Sequence, residues 1–368
     1  MIGIYCHHTS IFPHNTGIQR CVRSIAMALH NQGELIIPFV WNNEFRCIEI
    51  ASETAIAHLG LWGGPPVESW SFQALPAGHW IVVIELISGP NQPSQSNLRS
   101  LADSNNWKLM SLFHDDIPLE WGGAAAEFHS TYMKGLAKYD LVVSTSSISR
   151  SALETFWKKH SICVFARVET VGLAAEIPGV PQQPPQFTTF KPPLQALCVA
   201  SLEPRKNHSA LFKAIAWLSA HSNLAISFVL VGWPNHPGIV AMLRRAQSLR
   251  LPIIYEGSVN DVRLVQLYNS SNFSIYPSLL EGFGMPVLES CWLGKPCLAG
   301  GVPALIDQPF PTGCFVLSNV DWRSIAATLE QIQSHETILI SLKKNIIKME
   351  LKSWSDYVIN LLYLMREC

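Results

Sequence analysis

The chain has 368 residues and a formal net charge of −1, so its global charge gives no reason to expect binding to nucleic acid or to an acidic membrane. Hydrophobic residues make up 48%, which suits two domains with cores of their own. No apolar stretch reaches the roughly 18 to 20 residues that span a bilayer. The chain start lacks the pattern of a signal peptide and the nine cysteines lack paired spacing, so we expect a cytoplasmic protein with free thiols.

Short apolar runs alternate with helical patterns along the whole chain. This alternation predicts parallel sheets covered by helices on both faces. The predicted strands are residues 2–6, 35–41, 80–86, 108–113, 141–144, 194–200, 226–231, 253–255, 273–276 and 296–299. Ligands in open α/β sheets bind beyond the carboxyl ends of the strands, so the residues that follow each strand are the candidates for function.

The first candidates follow strand 2–6. His7, His8 and Thr9 end this strand and could contact a substrate, but adjacent strand residues point to opposite faces, which argues against a metal site. Gly17 then precedes a predicted helix over residues 18–30, where a ligand can approach the backbone closely and the free amides can bind a phosphate. Arg20 is either a second phosphate partner or a solvated helix residue.

His114 stands where the apolar strand 108–113 ends, in the stretch His-Asp-Asp-Ile-Pro. This position is the active edge of a parallel sheet. Two interpretations stay open: His114 faces a substrate, or it caps the strand and is held by Asp115.

Residues 177–193 contain six prolines, which predicts a stiff, extended linker. The predicted organisation is an N-terminal domain at residues 1–177, a linker at 178–193 and a C-terminal domain at 194–352. A final amphipathic helix follows at residues 353–368.

Arg205 and Lys206 follow strand 194–200 and precede a helix that Asn207 is expected to cap through its side-chain oxygen. Two cations beside the positive end of a helix dipole need an anion to offset them. A diphosphate would do so, with a planar fork from Arg205 and a point charge from Lys206. A solvated basic turn is the alternative.

Glu281 and Glu289 stand eight positions apart, after strand 273–276. Pro286 suits the first turn of a helix, so Glu281 is expected on the loop and Glu289 inside the helix. The Gly-Phe-Gly amides between them favour an anionic ligand, and the carboxylates suit hydroxyl groups. A sugar nucleotide has both kinds of group. An ordinary strand-to-helix loop is the alternative.

This paired-glutamate stretch resembles the signature of retaining glycosyltransferases of family 4, and residues 202–207 resemble the diphosphate-binding stretch of the same family. The resemblance implies the GT-B fold, an α/β architecture of two Rossmann-like parallel-sheet domains that face each other across a cleft. In this fold the C-terminal helix crosses back to the N-terminal domain. Members that build bacterial polysaccharides are the nearest analogy.

The resemblance also implies a function for each site residue. It makes His114 and Glu281 the catalytic residues, and it makes Glu289 the ribose contact. The donor diphosphate would contact Arg205, Lys206 and Gly17, the donor sugar would contact Glu281, Gly282, Phe283 and Gly284, and the base would contact Ser258 and Val259. The family's phosphate-side loop usually carries two glycines, whereas Asn15 and Thr16 replace the first one here.

The sequence has no Asp-x-Asp pair, so we expect no metal ion and no cofactor. Charge on the departing diphosphate would be stabilised by Arg205, Lys206 and helix N-termini. No general base is assigned, since the departing phosphate oxygen can take the proton of the acceptor.

The predicted function is retaining transfer of a hexose to a glycan or lipid-linked glycan, with possible peripheral membrane contact. UDP-glucose is the first expected donor and GDP-mannose the second. The alternatives are a sugar-nucleotide epimerase, a phosphorylase and a non-catalytic binding subunit. A phosphorylase that uses pyridoxal phosphate would need a Schiff-base lysine, for which Lys295 is the candidate.

Overall fold

The computed structural model describes residues 1–87, 92–187, 193–307 and 312–368. The chain divides into two units. The first unit comprises Met1–Ala174 together with Lys352–Cys368, and the second comprises Ala175–Leu351.

Strands of the first unit form one mostly parallel sheet. They are β1 (Ile2–Tyr5), β2 (Ile36–Asn42), β3 (Cys47–Ile50), β4 (Trp80–Val83), β5 (Lys108–Phe113), β6 (Leu141–Ser144) and β7 (Arg167–Thr170). Within the described residues the sheet has seven strands in the order β3-β2-β1-β4-β5-β6-β7, and only the β2–β3 pair is antiparallel. The central strands are buried on both faces, as parallel sheets covered by helices require.

Helices cover the two faces of this sheet. They are α1 (His7–Ile11), α2 (Gly17–Asn31), α3 (Glu53–Ile56), α4 (Gln95–Asn105), α5 (Gly123–Leu136) and α6 (Ser147–Lys159). Helix α2 begins with a capping box, in which Thr16 and Gln19 each accept a hydrogen bond from the other's backbone amide.

The second unit repeats the plan with a fully parallel sheet. Its strands are β8 (Leu194–Val199), β9 (Ile226–Val231), β10 (Ile253–Gly257), β11 (Phe273–Tyr276), β12 (Cys297–Ala299) and β13 (Cys314–Val316). Over the described ranges they pair in the order β10-β9-β8-β11-β12-β13. The helices are α7 (His208–His221), α8 (Pro237–Ser248), α9 (Asp261–Ser270), α10 (Met285–Trp292), α11 (Pro303–Ile306), α12 (Trp322–Ser334) and α13 (Glu336–Ile346).

The last helix, α14 (Trp354–Glu367), packs against α2 and so belongs to the first unit. A second capping box, made by Ser353 and Asp356, begins it. Its inner face buries Trp354, Tyr357, Val358, Leu361 and Met365. The chain therefore crosses between the units twice.

The proline-rich segment packs on the second unit along its described part. Trp292 Nε1 donates to the Val180 carbonyl (2.8 Å), and the Gln183 amide donates to the Trp292 carbonyl (2.8 Å). Lys343 Nζ donates to the Gln186 carbonyl (2.7 Å). The boundary between the units lies after Ala174, whereas the sequence predicted it after residue 177. Residues 188–192 of the predicted linker lie outside the described residues.

None of the helices in the four described ranges combines the length and the apolar character that crossing a bilayer requires.

Candidate active site

The loops that follow β8 and β11 lie side by side, because these two strands are neighbours in the sheet. The Leu279 amide donates to the Arg205 carbonyl (2.8 Å), and Ser278 Oγ lies 3.1 Å from the same carbonyl oxygen. Asn207 Nδ2 donates to the Pro277 carbonyl (3.1 Å). These bonds hold the two sequence motifs against each other at the carboxyl edge of the sheet.

Glu281 is the centre of the resulting cluster. Its Oε1 accepts hydrogen bonds from Lys206 Nζ (2.5 Å), Tyr276 OH (2.8 Å) and Ser278 Oγ (2.5 Å). Its Oε2 accepts from Arg205 Nη1 (2.9 Å), and Lys206 Nζ also donates to Tyr276 OH (2.7 Å). We call these five residues the Glu281 cluster.

The charges of this cluster are balanced within the protein. Arg205 pairs with Glu281 and also with Glu203 (3.0 Å), so two carboxylates face the two cations Arg205 and Lys206. The anion that these two cations need is therefore supplied within the ligand-free protein. The physical reason is that Glu281, from a loop distant in sequence, reaches the same place.

Asn207 does not cap α7 through its side-chain oxygen, contrary to the prediction. It adopts the left-handed conformation (φ 58°) after a 3₁₀ turn at Pro204–Lys206, and it makes no side-chain cap bond. Its Nδ2 instead donates to the Pro277 and Val320 carbonyls (3.1 and 2.7 Å). Asn207 thus joins three loops of the second unit.

Burial and charge oppose each other in this cluster. Burial raises the pKa of Glu281, but the Lys206 and Arg205 charges outweigh burial and hold that pKa below its ordinary value. Burial lowers the pKa of Lys206, and the Glu281 charge offsets this only in part. Glu281 is therefore an ionised acceptor at neutral pH.

Arg205 is the least buried of the charged residues. Its side chain is 29% exposed, against 9% for Lys206 and 7% for Glu281. Lys206 also lies over the Tyr276 ring, 5.1 Å from its centroid. Arg205 is thus the cation that can turn toward a ligand, whereas Lys206 is enclosed.

Sequence reasoning missed Tyr276, since it reads as one more apolar residue of a buried strand. A phenol hydroxyl in a buried strand needs a hydrogen-bond partner, so the sequence could have indicated that Tyr276 contacts a polar group.

Tyr276→Phe is expected to lower the free energy of unfolding by about 1–3 kcal/mol, because Lys206 Nζ and Glu281 Oε1 each lose a buried hydrogen bond. Urea denaturation measures this. Tyr363→Phe, which changes an exposed side chain of α14, is the control and should change nothing measurable. Equal stability of Tyr276→Phe and the wild type would show that the hydroxyl holds neither partner.

Glu289 lies inside α10 and is buried, as the helix prediction requires. Gly284, with φ 100°, is the N-cap residue, and a Cβ there would meet Val302. The Phe283 side chain is buried and its carbonyl accepts from the Ala304 amide (2.8 Å). The stretch Gly282–Phe283–Gly284 therefore presents no exposed ring to a ligand.

Ser258 and Val259 follow β10 at the same edge of the sheet. Ser258 is exposed and Val259 half-buried. Asn260 caps α9 by accepting from the Arg263 amide (2.8 Å), which fixes where this turn ends. The turn lies in the same unit as the Glu281 cluster, two strands away from β8.

His114, in the first unit, follows β5 as predicted. Its Nε2 lies 2.8 Å from the Ile84 carbonyl oxygen, so Nε2 carries the proton of the neutral ring and Nδ1 is an acceptor. Burial lowers the pKa of His114, which favours that neutral ring. The His114 carbonyl accepts from Thr145 Oγ1 (2.9 Å) and Ser149 Oγ (2.8 Å), so the backbone is fixed as well.

Residues 7–9 do not end the first strand, contrary to the prediction; they form the first turn of α1. The reason is Glu85, which follows β4 and accepts from the His8 amide (2.8 Å) and the Thr9 amide (2.6 Å). The Glu85 carboxyl oxygens thus satisfy two of the amides that a helix start leaves without a partner. Glu85 is buried and was overlooked, although a charged residue inside an apolar run is a signal of structural or chemical use.

Glu85 makes the first unit sensitive to pH. Burial raises its pKa from 4.5 to about 7, against the opposing hydrogen bonds from Thr9 and His8. Between these pH values the unfolded chain has lost the proton and the folded chain has kept it, so stability falls as pH rises. The stability advantage of wild type over Glu85→Gln should therefore shrink by up to about 3 kcal/mol from pH 4.5 to 7, measured by urea denaturation. A constant difference would contradict this.

Gly17 is the first residue of α2 and is exposed. The capping box already uses the Gln19 amide, so this helix start has fewer amides to offer than the prediction assumed. Gly17 lies in the first unit, as do Arg20, His114 and residues 7–9, and the other predicted site residues lie in the second.

Lys295 precedes β12, at the amino edge of the sheet, away from the Glu281 cluster at the carboxyl edge. Its Nζ donates to the Asn269 carbonyl (2.9 Å). This placement gives no support to a phosphorylase. In the part of the chain that the structure describes, no three His, Cys, Asp or Glu side chains are grouped so that they could hold a metal ion.

Solved structures with the same architecture define the class of the fold. Sucrose-phosphate synthase from Thermosynechococcus elongatus aligns with a TM-score of 0.69 at 16% identity, covering 100% of this chain and 98% of that one. Anabaena Alr3699/HepE aligns with a TM-score of 0.65 at 13% identity, covering 100% and 99%. The predicted fold class, α/β with two Rossmann-like parallel-sheet domains of the GT-B type, is confirmed.

Residues 180–349, which lie in the second unit, match the family model described as "Glycosyl transferases group 1". Escherichia coli serotype-specific mannosyltransferase WbdA is 28% identical over 269 residues, which are 69% of this chain and 33% of that protein. The E. coli O-antigen chain mannosyltransferase B is 25% identical over 224 residues, 59% and 58% of the two chains. The chain thus spans about a third of WbdA. These relatives support the prediction of a hexosyltransferase enzyme.

Proposed function

We propose that this chain is a retaining hexosyltransferase of family 4 that moves a hexose from a nucleoside diphosphate sugar to a glycan or lipid-linked glycan in polysaccharide biosynthesis. The Glu281 cluster, inside a glycosyltransferase group 1 domain, is the observation that carries the proposal. Its carboxylate suits sugar hydroxyls and its two cations suit a diphosphate.

The cluster suggests how a donor would bind. A diphosphate carries more negative charge than the Glu281 carboxylate, so it would compete for the exposed Arg205 guanidinium. Release of Arg205 would free Glu281 Oε2 for a sugar hydroxyl, while Lys206 and Tyr276 hold Oε1 in place. Binding of the phosphate and of the sugar would thereby be coupled through one side chain.

The same cations would then assist the chemistry. The bond between the sugar and the diphosphate breaks with charge building on the phosphate oxygens, which Arg205 would stabilise by direct contact and the enclosed Lys206 through its charge. The neutral His114 ring, with Nδ1 as acceptor, would hold a sugar hydroxyl. Glu281 would hold the sugar and would not attack it, and the departing phosphate oxygen would take the acceptor proton.

The mannosyltransferase relatives favour mannose, so we place GDP-mannose ahead of UDP-glucose, the first expectation from the sequence. We place the enzyme in the cytoplasm, with peripheral contact to the membrane where a lipid-linked acceptor is presented.

The reaction is expected to be independent of metal, since cationic side chains supply the charge that a metal would otherwise supply. EDTA should leave the rate of transfer unchanged, and added Mg²⁺ or Mn²⁺ should not raise it. Loss of activity in EDTA that Mn²⁺ restores would contradict this expectation.

Release of nucleoside diphosphate from a panel of donors, measured with and without glycan acceptors, tests the proposal. A transferase is expected to release nucleoside diphosphate at a rate that rises when the acceptor is present. An epimerase would convert the donor without releasing nucleotide, and a phosphorylase would require inorganic phosphate. A non-catalytic subunit would bind the donor and turn over none of it.

A further inference from the structure

The turn that follows β9 carries an unusual surface residue. Trp233 is 55% exposed, although a tryptophan side chain gains much free energy from burial. Strand β9 lies between β10 and β8 in the sheet. Trp233 therefore stands at the carboxyl edge, between the turn that contains Ser258 and the segment that contains Arg205.

Backbone hydrogen bonds join this turn to the segment that leads to Arg205. The Leu202 amide donates to the Trp233 carbonyl (2.8 Å), and the His236 amide donates back to the Leu202 carbonyl (2.9 Å). The position of Trp233 is thus set by the same backbone that positions the cations of the Glu281 cluster.

Gly232, which precedes Trp233, joins the turn to strand β10. The Gly232 amide donates to the Gly257 carbonyl (2.9 Å), and Tyr255 OH donates to the Gly232 carbonyl (2.7 Å). Gly232 has φ 154°, and a Cβ there would lie 2.0 Å from the Ala200 carbonyl oxygen, so glycine is required. The turn is therefore held firmly between its two neighbours, with its indole displayed at the edge.

A flat aromatic ring held at this edge suits a nucleobase. Stacking accepts any base, because every base has an aromatic face, and it recovers part of the burial that an exposed indole lacks. The neighbouring turn at Ser258 offers backbone groups to the edge of a base, but no ring to its face.

We propose that Trp233 forms one wall of the nucleobase site and stacks on the base of the nucleoside diphosphate donor. This inference depends on the proposed function, and it adds the residue that contacts the base face. It predicts that Trp233 contributes to binding of nucleosides and contributes nothing to binding of the diphosphate.

Calorimetric titration with GDP, UDP and inorganic pyrophosphate tests this. Trp233→Ala is expected to weaken the affinity for GDP and UDP by roughly 5-fold to 100-fold and to leave pyrophosphate affinity unchanged. Trp233→Phe, which keeps an aromatic ring, should lose less affinity for GDP and UDP than Trp233→Ala. Trp217→Ala, which removes a 38% exposed indole from α7 of the same unit, is the matched control and should bind all three ligands as wild type does.

Two results would overturn the inference. Nucleotide affinity of Trp233→Ala within twofold of wild type would show that the ring does not contact the base. An equal loss for nucleotides and pyrophosphate would show that the substitution disturbs the turn and its neighbours. Wild-type protein that binds neither nucleotide nor pyrophosphate would instead overturn the proposed function itself.

Discussion

Replacing Glu281 with alanine is expected to lower hexose transfer by about 10²- to 10³-fold. The carboxylate is the common partner of Lys206, Tyr276, Ser278 and Arg205, so its removal takes away the sugar contact and the alignment of both cations together. Steady-state transfer assays at saturating donor measure the loss. Turnover within threefold of wild type would contradict the account of this site.

The same substitution should also destabilise the second unit. It leaves the enclosed Lys206 ammonium without its counter-charge, which costs about 3–5 kcal/mol. The double variant Glu281→Leu with Lys206→Met removes both charges and should recover most of that stability, without recovering activity. Recovery of activity together with stability would show that the cluster is structural only.

The matched control for these variants is a surface ion pair on α6. Glu154 pairs with Arg150 (2.8 Å), and both side chains are well exposed. Glu154→Ala is expected to change stability by about 0.5 kcal/mol or less and to leave transfer unchanged. Comparing Glu154→Ala with Glu281→Ala separates the loss of an exposed ion pair from the loss of a buried one.

Arg205→Ala is expected to lower kcat by about 10²-fold, because the guanidinium is the exposed donor that can meet the departing diphosphate. Arg205→Lys should recover little, since an ammonium cannot contact Glu203 and a phosphate with the same planar geometry. Stability should fall less than in Glu281→Ala, because Arg205 is 29% exposed and Glu281 keeps its Lys206 and Tyr276 partners.

The measurement for Arg205 is the comparison of kcat with KM. An interaction made mainly in the transition state lowers kcat and kcat/KM together, whereas uniform binding raises KM alone. Arg150→Ala is the control for loss of a surface guanidinium. A rise in KM with unchanged kcat would show that Arg205 binds the donor without assisting departure of the diphosphate.

Much of the fold could be predicted, since alternating apolar runs and helical patterns suffice to indicate parallel sheets. The strands β3, β7 and β13 were not predicted, and each gives a weak signal. Strand β3 is half-exposed, the Arg-Val-Glu-Thr sequence of β7 is polar, and β13 has three residues. Whether such a segment forms a strand depends on its pairing at the edge of the sheet more than on its local sequence.

The sequence indicates which residues form the site, but it does not indicate which of them contact one another. The positions of Glu281 on a loop and Glu289 in a helix follow from local sequence, with Pro286 at the helix start. Glu281 pairs with Arg205 and Lys206 because β8 and β11 are neighbours in the sheet. No local sequence pattern indicates that these two strands are neighbours. Asn207 was misassigned for the same reason, because its partners come from distant loops.

A crystal structure of the protein with bound GDP-mannose or UDP-glucose tests the central claim most directly. The account predicts that Arg205 leaves Glu281 Oε2 to bind the diphosphate, while Glu281 accepts a hydrogen bond from the hexose and keeps Lys206 on Oε1. A donor bound elsewhere, with the Arg205–Glu281 pair intact, would contradict it.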